Sequence, residues 1–325
     1  MDMHCDTLMA ALLRKGRDAD LYEFPEAMVD FKRMKQGDYL AQFFAIFIVP
    51  PQMYTDWLKM EPIEENDYIN SCVEIFNNNM KAHSDIIAPA RNAEDILENQ
   101  KKGLMSGVLT MEDGCAVRGN MENLKRFYDA GVRALSLTWN APNCIGAPNS
   151  TDPEVMKTGL TDFGKEAVAY MQDLGMLVDV SHLSDGGFYD VASICKKPFV
   201  ATHSNCRVLC PHQRNMTDDM IKVLGNAGGV AGINFGPEFL NEDITCKDST
   251  AALMAKHARH MADLGGVECV GIGSDFDGIG GNLEISGSDK IGLLADALSK
   301  ENFSGSDIDK IVQGNVLRVM KDAMK

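Results

Sequence analysis

The sequence has no apolar run long enough to cross a bilayer, and it is poor in basic residues. A membrane-spanning helix needs about 20 apolar residues in succession, and no segment approaches that length. Lys and Arg number 31 against 47 Asp and Glu, which gives a formal net charge of −16 and a pI near 4.8. Because an acidic surface repels phosphate backbones and anionic lipids, we predict neither a nucleic-acid partner nor a membrane partner.

A cysteine framework is missing as well. The nine cysteines are scattered, and the closest two, Cys206 and Cys210, do not form a CxxC motif. Reduced thiols in a cytosol are the simpler interpretation. The apolar stretch at residues 8–13 is short and follows no basic segment, so we predict no signal peptide. We therefore expect a cytoplasmic protein.

No internal repeat, low-complexity tract or linker divides the chain. Its 325 residues could form two domains on length alone, but α/β barrels often reach about 250 residues or more as one unit. Ordinary hydrophobic content, 45%, excludes a disordered or fibrous chain. We predict a single domain over residues 1–325.

Short, nearly continuous apolar segments are typical of parallel strands covered on both faces. They cover residues 40–49, 107–111, 132–138, 176–180, 199–201, 229–234 and 269–273. An eighth candidate lies before His4, where few residues are available, so we expect this first strand to be stunted or the chain to begin late. A stunted strand would hold His4 and Asp6 less firmly.

Helical patterns separate these strands. Residues 162–174, 218–224 and 307–320 are predicted helices, with Thr217 and Ser306 as N-caps of the last two. Eight strand–helix units predict either a (β/α)8 barrel or a doubly wound sheet.

Three long segments follow strands, and in a barrel they would crowd one rim. These are residues 50–66, 140–160 and 236–249. We therefore favour an α/β fold of the (β/α)8 TIM-barrel type, as in metal-dependent hydrolases, with long strand-to-helix loops.

Histidines and carboxylates gather at the predicted strand ends. The residues at these positions are His4, Asp6, Glu112, Asp113, His182, His203, Asp275 and Asp277. The carboxyl ends of barrel strands meet at one mouth, and the spacing of His4 and Asp6 puts both on one side of a strand. Such nitrogen and oxygen ligands suit zinc, with manganese or iron as second choice. A carboxylate such as Glu112 can bridge two ions about 3.5–4 Å apart.

Each residue also has a structural interpretation. His182 and His203 could be hydrogen-bonded core residues, and Glu112 could cap the following helix beside an exposed Asp113. Asp275 and Asp277 could be turn residues beside a glycine. All these coincidences would have to hold at once, so one shared metal site is the better hypothesis.

His257 and His260 form the competing pair. Their i, i+3 spacing on a helix can bind metal, but no strand-end carboxylate lies nearby in the sequence. We predict a surface or packing pair.

The combination of motifs resembles the membrane dipeptidase (renal dipeptidase) family, peptidase family M19 of the amidohydrolase superfamily. The resemblance covers nearly the whole chain, and the first strand carries HxD where other superfamily members usually carry HxH. The matching motifs, in the family's order, are Asp2-x-His4-x-Asp6, Glu112, Val180-Ser181-His182, Thr202-His203-Ser204, Arg214-Asn215 and Gly273-Ser274-Asp275-Phe276-Asp277-Gly278.

The resemblance implies a dipeptidase with two Zn²⁺ per chain, other divalent metals being possible. It assigns His4 and Asp6 to one ion, His182 and His203 to the other, and Glu112 to both. It makes Asp275 the acid/base that relays a proton to the leaving amine. The family often forms dimers, so a homodimer is among the expectations.

By the same resemblance, Arg214 grips the substrate carboxylate. A planar guanidinium suits that task, and a surface salt bridge is the alternative. Trp139 departs from the family, because the mammalian enzymes have a histidine there that contacts the substrate. Trp139 cannot carry charge, and we expect it to bind substrate.

The expected reaction is hydrolysis of the amide bond of small dipeptides by a metal-bridging hydroxide. One alternative is a metal-dependent amidohydrolase of another small substrate: an N-acyl amino acid, a lactone or an ester. A second is a non-catalytic barrel used for binding or scaffolding.

Overall fold

Parallel strands curl into a barrel in the computed structural model, which describes residues 1–325. The hydrogen-bonded order is β1-β3-β4-β5-β6-β7-β9, and β2 pairs with β3. The bounds are β1 Ala41–Phe47, β2 Ile87–Pro89, β3 Met105–Glu112, β4 Ala134–Ser136, β5 Leu177–Asp179, β6 Val200–Ala201, β7 Val230–Ile233 and β9 Val270–Ile272. A separate pair joins β8 Asp248–Ser249 to β10 Asn282–Leu283. The TIM-barrel prediction is confirmed.

The first residues of the chain close the barrel between β1 and β9. Asp2 forms a parallel bridge with Gln42, and Met3 N–H donates to the Ile272 carbonyl at 2.9 Å. The expected stunted first strand is therefore present as isolated bridges. It is nevertheless tied down, because Ser274 donates to the Asp2 carboxylate from both its N–H (2.8 Å) and its hydroxyl (2.6 Å).

Fourteen α-helical segments alternate with the strands. Their bounds are α1 Thr7–Lys15, α2 Phe31–Gln36, α3 Pro51–Met53, α4 Glu65–Ala82, α5 Ala93–Lys101, α6 Met121–Ala130, α7 Pro153–Met156, α8 Asp162–Leu174, α9 Asp185–Ile194, α10 Asp218–Asn226, α11 Ala251–Gly265, α12 Gly292–Lys300, α13 Gly305–Asp309 and α14 Asn315–Ala323. The predicted bounds of α8 are confirmed, as is the Thr217 cap of α10.

The predicted cap of the last helical region was wrong. The N-cap of α13 is Ser304, not Ser306. The Ser304 hydroxyl accepts from the Asp307 N–H, and the Asp307 carboxylate accepts from the Ser304 N–H. This reciprocal pair satisfies two free donors at the helix start, which Ser306 cannot do.

An apolar layer fills the amino-terminal end of the barrel. The first residues of β4 to β7 belong to one buried cluster together with one side of α14: Ala134, Leu177, Val200, Val230, Val316 and Met320. With apolar side chains at that end, the polar groups lie at the carboxyl ends of the strands.

The three long segments do meet at the carboxyl-terminal rim. They follow β1, β4 and β7, and they supply Met53, Trp57, Asn140, Glu238 and Phe239 to the wall of a cavity of about 320 Å³. That cavity opens above the strand ends, as TIM-barrel architecture predicts.

Candidate metal centre

Glu112, the last residue of β3, occupies the middle of the polar cluster. Its Oε1 lies 3.0 Å from His182 Nε2 and 3.4 Å from His203 Nε2. Its Oε2 lies 3.4 Å from His4 Nε2. The two carboxylate oxygens thus face different imidazoles, which is the arrangement that a bridging ligand requires.

Asp6, the remaining predicted ligand, and Asp275, the predicted acid/base, both lie near His4. Asp6 Oδ1 is 3.7 Å and Asp275 Oδ1 3.9 Å from His4 Nε2. The His4 ring stacks on the His203 ring with centroids 3.9 Å apart. Residues from five separate parts of the chain therefore converge within one small volume.

Unsatisfied polar atoms show that the cluster fits a cation. His4 Nε2 and Asp6 Oδ1 are buried and have no hydrogen-bond partner. An orphaned buried polar atom costs about 1–3 kcal/mol, whereas a coordinated ion would satisfy both atoms. Two overlapping groups have ligand atoms within 4.8 Å of one another: His4, Glu112 and His203, and His4, Asp6 and Asp275.

The protonation states favour metal ligation too. Burial, together with the charge of Arg214, lowers the pKa of His182 to about 4. Burial also lowers the pKa of His203 well below its usual value. Both imidazoles are therefore neutral near pH 7, with a nitrogen lone pair available.

The carboxylates of Glu112 and Asp6 favour a positive charge at or beside His4. Burial opposes the ionisation of Glu112, but the charge of His4 and the contacts with the His182 and His203 rings lower its pKa well below the usual value. Burial would lower the pKa of His4, yet Glu112 and Asp6 raise it well above the usual value. A proton or a metal ion can supply that charge.

Two site residues adopt left-handed backbone conformations. His182 has φ 68° and Asp275 has φ 63°, values that are unusual for residues with a side chain. Neighbouring segments hold them, since Asn149 N–H donates to the His182 carbonyl at 2.7 Å and Asp275 N–H donates to the His4 carbonyl at 3.2 Å. Such strain clusters at functional sites.

A sequence-family model, that of the membrane dipeptidases (peptidase family M19), matches residues 1–325 of this chain. The chain belongs to the membrane dipeptidase family. It is accordingly a metal-dependent hydrolase of the dipeptidase type.

Relatives of this M19 chain agree in sequence and in fold. Dipeptidase aclJ of Aspergillus oryzae is 30% identical over 307 residues, covering 90% of this chain and 69% of aclJ. An uncharacterized dipeptidase of Schizosaccharomyces pombe is 30% identical over 340 residues, covering 99% and 79%. A Rhodobacter sphaeroides metallo peptidase, solved with a phosphinate mimic of L-Ala-D-Ala, has 26% identity and a TM-score of 0.87, covering 99% and 98%.

Arg214 of this M19 chain is buried beside the cluster. Its Nη1 donates to Ser204 Oγ at 2.6 Å, while its Nε and Nη2 have no partner. It forms no ion pair and lies away from the surface, so the surface salt-bridge alternative is wrong. Arg214 is not part of the wall of the 320 Å³ cavity, but its charge lowers the pKa of both His182 and His203.

Trp139 forms part of the cavity wall. Its ring centroid lies 4.9 Å from that of Phe47 and 6.2 Å from that of His182. Met9, Met53 and Trp57 extend the wall. The cavity therefore has an apolar and aromatic wall next to the polar residues of the cluster.

Asp275 is held by a residue that the sequence analysis did not single out. Asn234 Nδ2 donates to Asp275 Oδ2 at 2.8 Å, and Asn234 Oδ1 accepts from Gly236 N–H at 2.7 Å, which fixes the orientation of the amide. Burial raises the pKa of Asp275 to about 8, with further contributions from Asp6 and Glu112. The position of Asn234 at the end of a predicted strand was the only sequence signal.

Other predicted residues serve the scaffold. Asp113 is buried and accepts from Cys115 N–H at 2.9 Å, so the idea of Glu112 as a cap beside an exposed Asp113 was wrong. Asp277 accepts from Thr7 Oγ1 and Met28 N–H, both at 2.6 Å.

The helical histidine pair is a packing pair, as predicted. His257 Nδ1 accepts from Cys206 N–H at 3.1 Å, and His260 Nε2 lies 2.8 Å from Asp218 Oδ1. None of the helices is both long and apolar enough to span a membrane.

Proposed function

We propose that this M19 chain hydrolyses the amide bond of small dipeptides and holds two zinc ions at the strand ends. His4 and Asp6 would bind one ion, His182 and His203 the other, and Glu112 both. The observation that carries this proposal is the central position of Glu112, whose two oxygens face separate imidazoles. The nitrogen and oxygen donor set is one that zinc accepts.

Two zinc ions in this site would lower the pKa of a shared water to about 7 and polarise the scissile carbonyl. The chain's own residues then manage the protons. Asn234 occupies Asp275 Oδ2, so the proton that Asp275 accepts is carried on Oδ1, which faces His4 at 3.9 Å. From there Asp275 hands it to the leaving nitrogen.

Arg214 supplies the anchor for the free carboxylate of the substrate. Its guanidinium is buried with two nitrogens unpaired, and an unpaired buried charge is costly until an anion joins it. A carboxylate can accept two parallel hydrogen bonds from such a group. The Rhodobacter relative, which holds a mimic of a dipeptide, supports this substrate class.

The aromatic wall supports a second candidate function. Trp139, Phe47 and Met53 give the cavity an apolar side that suits an acyl chain as well as an amino-acid side chain. An N-acyl amino acid would keep the carboxylate for Arg214 but lose the free amine. Lactones and esters are the other substrate classes of this second candidate function.

Metal analysis combined with a substrate panel tests the proposal. We would reconstitute the chelated protein with zinc, count the ions per chain, and assay Ala-Ala, Ala-Ala amide, N-acetyl-alanine and a lactone. We expect two ions, hydrolysis of Ala-Ala, and a large loss with the amide because Arg214 has no carboxylate to bind. Faster turnover of N-acetyl-alanine or the lactone would favour the second candidate, and two bound ions without any hydrolysis would overturn both.

A further inference from the structure

A chain of hydrogen bonds runs behind the cluster from Asp179 to His203. Asp179 ends β5 and Thr202 follows β6, and both are almost fully buried. Thr202 Oγ1 lies 2.5 Å from Asp179 Oδ2 and 2.8 Å from His203 Nδ1. One hydroxyl therefore links a buried carboxylate to a predicted metal ligand.

The direction of each hydrogen bond follows from the donors available. An ionised carboxylate only accepts hydrogen bonds. Asp179 Oδ1 accepts from the N–H groups of Ser181 and Thr202 at 2.9 Å each, and Oδ2 accepts from Ser136 Oγ at 2.5 Å. Every contact of Asp179 is thus with a donor, so the single hydroxyl proton of Thr202 points to Asp179.

The Thr202 oxygen can then only accept from His203. With its proton committed to Asp179, Thr202 Oγ1 receives a hydrogen bond from Nδ1–H of the imidazole. The lone pair of neutral His203 is left on Nε2, the atom that lies 3.4 Å from Glu112 Oε1 and 3.2 Å from His182 Nε2. The ring that stacks on His4 is in this way fixed in both tautomer and direction.

We propose that Thr202 and Asp179 are positioning residues that hold His203 in the Nδ1–H tautomer for metal binding. This inference rests on the proposed metal centre and assigns a role to two residues beyond its ligands. Partners of this kind generally change metal affinity about 10–100-fold when they are replaced.

Zinc affinity, measured by competition with a chromophoric chelator, tests the inference. Thr202→Val removes the hydroxyl at nearly constant volume, and we expect the zinc site formed with His182 and His203 to lose about 10–100-fold in affinity. Thr202→Ser keeps the hydroxyl and should restore most of it. Thr138→Val is the matched control, because Thr138 is also fully buried, two residues after the end of β4, but its hydroxyl has no partner. A folded Thr202→Val protein with unchanged affinity at both sites would refute the inference.

A spectroscopic measurement covers the case in which Thr202→Val does not fold. In ¹⁵N-histidine-labelled metal-free wild type near pH 7, the His203 signals, assigned by their loss in His203→Gln, should show a protonated Nδ1 and an unprotonated Nε2. The opposite tautomer would overturn the inference. Wild type that binds zinc in this tautomer without cleaving dipeptides would instead contradict only the proposed substrate.

Discussion

At Gly278 the absence of a side chain leaves room for two acidic groups of the site. A Cβ atom there would overlap Asp6 Oδ2 and would lie 2.6 Å from Asp275 Oδ1. The backbone of Gly278 has no left-handed φ, so an alanine would be opposed by this contact and not by its own conformation. The sequence alone indicates only a turn at Gly278, because Asp6, the nearer of the two carboxylates, is distant in the chain.

We predict that Gly278→Ala loses metal and activity while remaining folded. The methyl group would push Asp6 and Asp275 away from His4. The measurement is the zinc content per chain together with the circular dichroism melting curve. Gly280→Ala is the control, since a Cβ there meets nothing within 4 Å. Equal zinc content in the two variants would contradict the prediction.

Asp275→Asn separates proton transfer from metal binding. An amide at position 275 keeps the shape of the side chain but cannot accept and pass on a proton. We expect zinc content near that of wild type and a fall in kcat of about 10²–10⁴-fold, the usual contribution of general acid–base catalysis. Steady-state kinetics on Ala-Ala checks it, and wild-type kcat in this variant would remove Asp275 from the proposed mechanism.

Where a capping residue and a terminal glycine mark both ends of a helix, the first and last residues of that helix could be predicted from the sequence. Helix α8 begins after Thr161, whose side chain accepts from Gly164 N–H, and ends before Gly175 with φ 82°, and both signals are local. Strand β2 was not predicted, because three residues paired with the start of β3 leave no readable pattern.

The candidate site, too, contains features that could be predicted from the sequence and features that could not. The strand-end positions of the histidines could be predicted, because barrel topology brings all carboxyl ends together. The roles suggested for Asn234 and Thr202 could not, since each depends on a contact between side chains that only the folded chain creates.

The loop after β4 carries the residue that we expect to limit substrate size. Trp139 borders both the 320 Å³ cavity and an adjoining cavity of about 580 Å³. Trp139→Ala would therefore connect the two spaces, whereas Trp139→Phe would keep the wall largely intact.

We predict that Trp139→Ala shifts specificity towards bulky dipeptides. The ratio of kcat/KM for Phe-Phe to that for Ala-Ala should rise several-fold in Trp139→Ala and change little in Trp139→Phe. An unchanged ratio in the alanine variant would show that the ring does not separate the two cavities for the substrate.

At the scale of the whole molecule, His257, which is not among the proposed metal ligands, makes the free energy of unfolding depend on pH. Burial lowers its pKa from 6.5 to about 4, with His260 contributing. Its Nε2 lies 3.0 Å from the Leu240 carbonyl, and its Nδ1 accepts from Cys206 N–H. The folded protein thus needs the neutral ring, which joins α11 to two loop segments.

The unfolded chain binds a proton at His257 below pH 6.5, whereas the folded chain does so only near pH 4. The free energy of unfolding is therefore expected to fall as the pH drops through this window. At ~1.36 kcal/mol per pKa unit, the loss from His257 between pH 7 and pH 5 is about 2 kcal/mol. Urea unfolding of the metal-free protein at the two pH values, compared with His257→Gln, isolates this contribution, because His182 and His203 titrate in both proteins. The glutamine variant should be less stable at pH 7 yet lose less stability on acidification, and an identical pH dependence would show that the packing tolerates a charged ring.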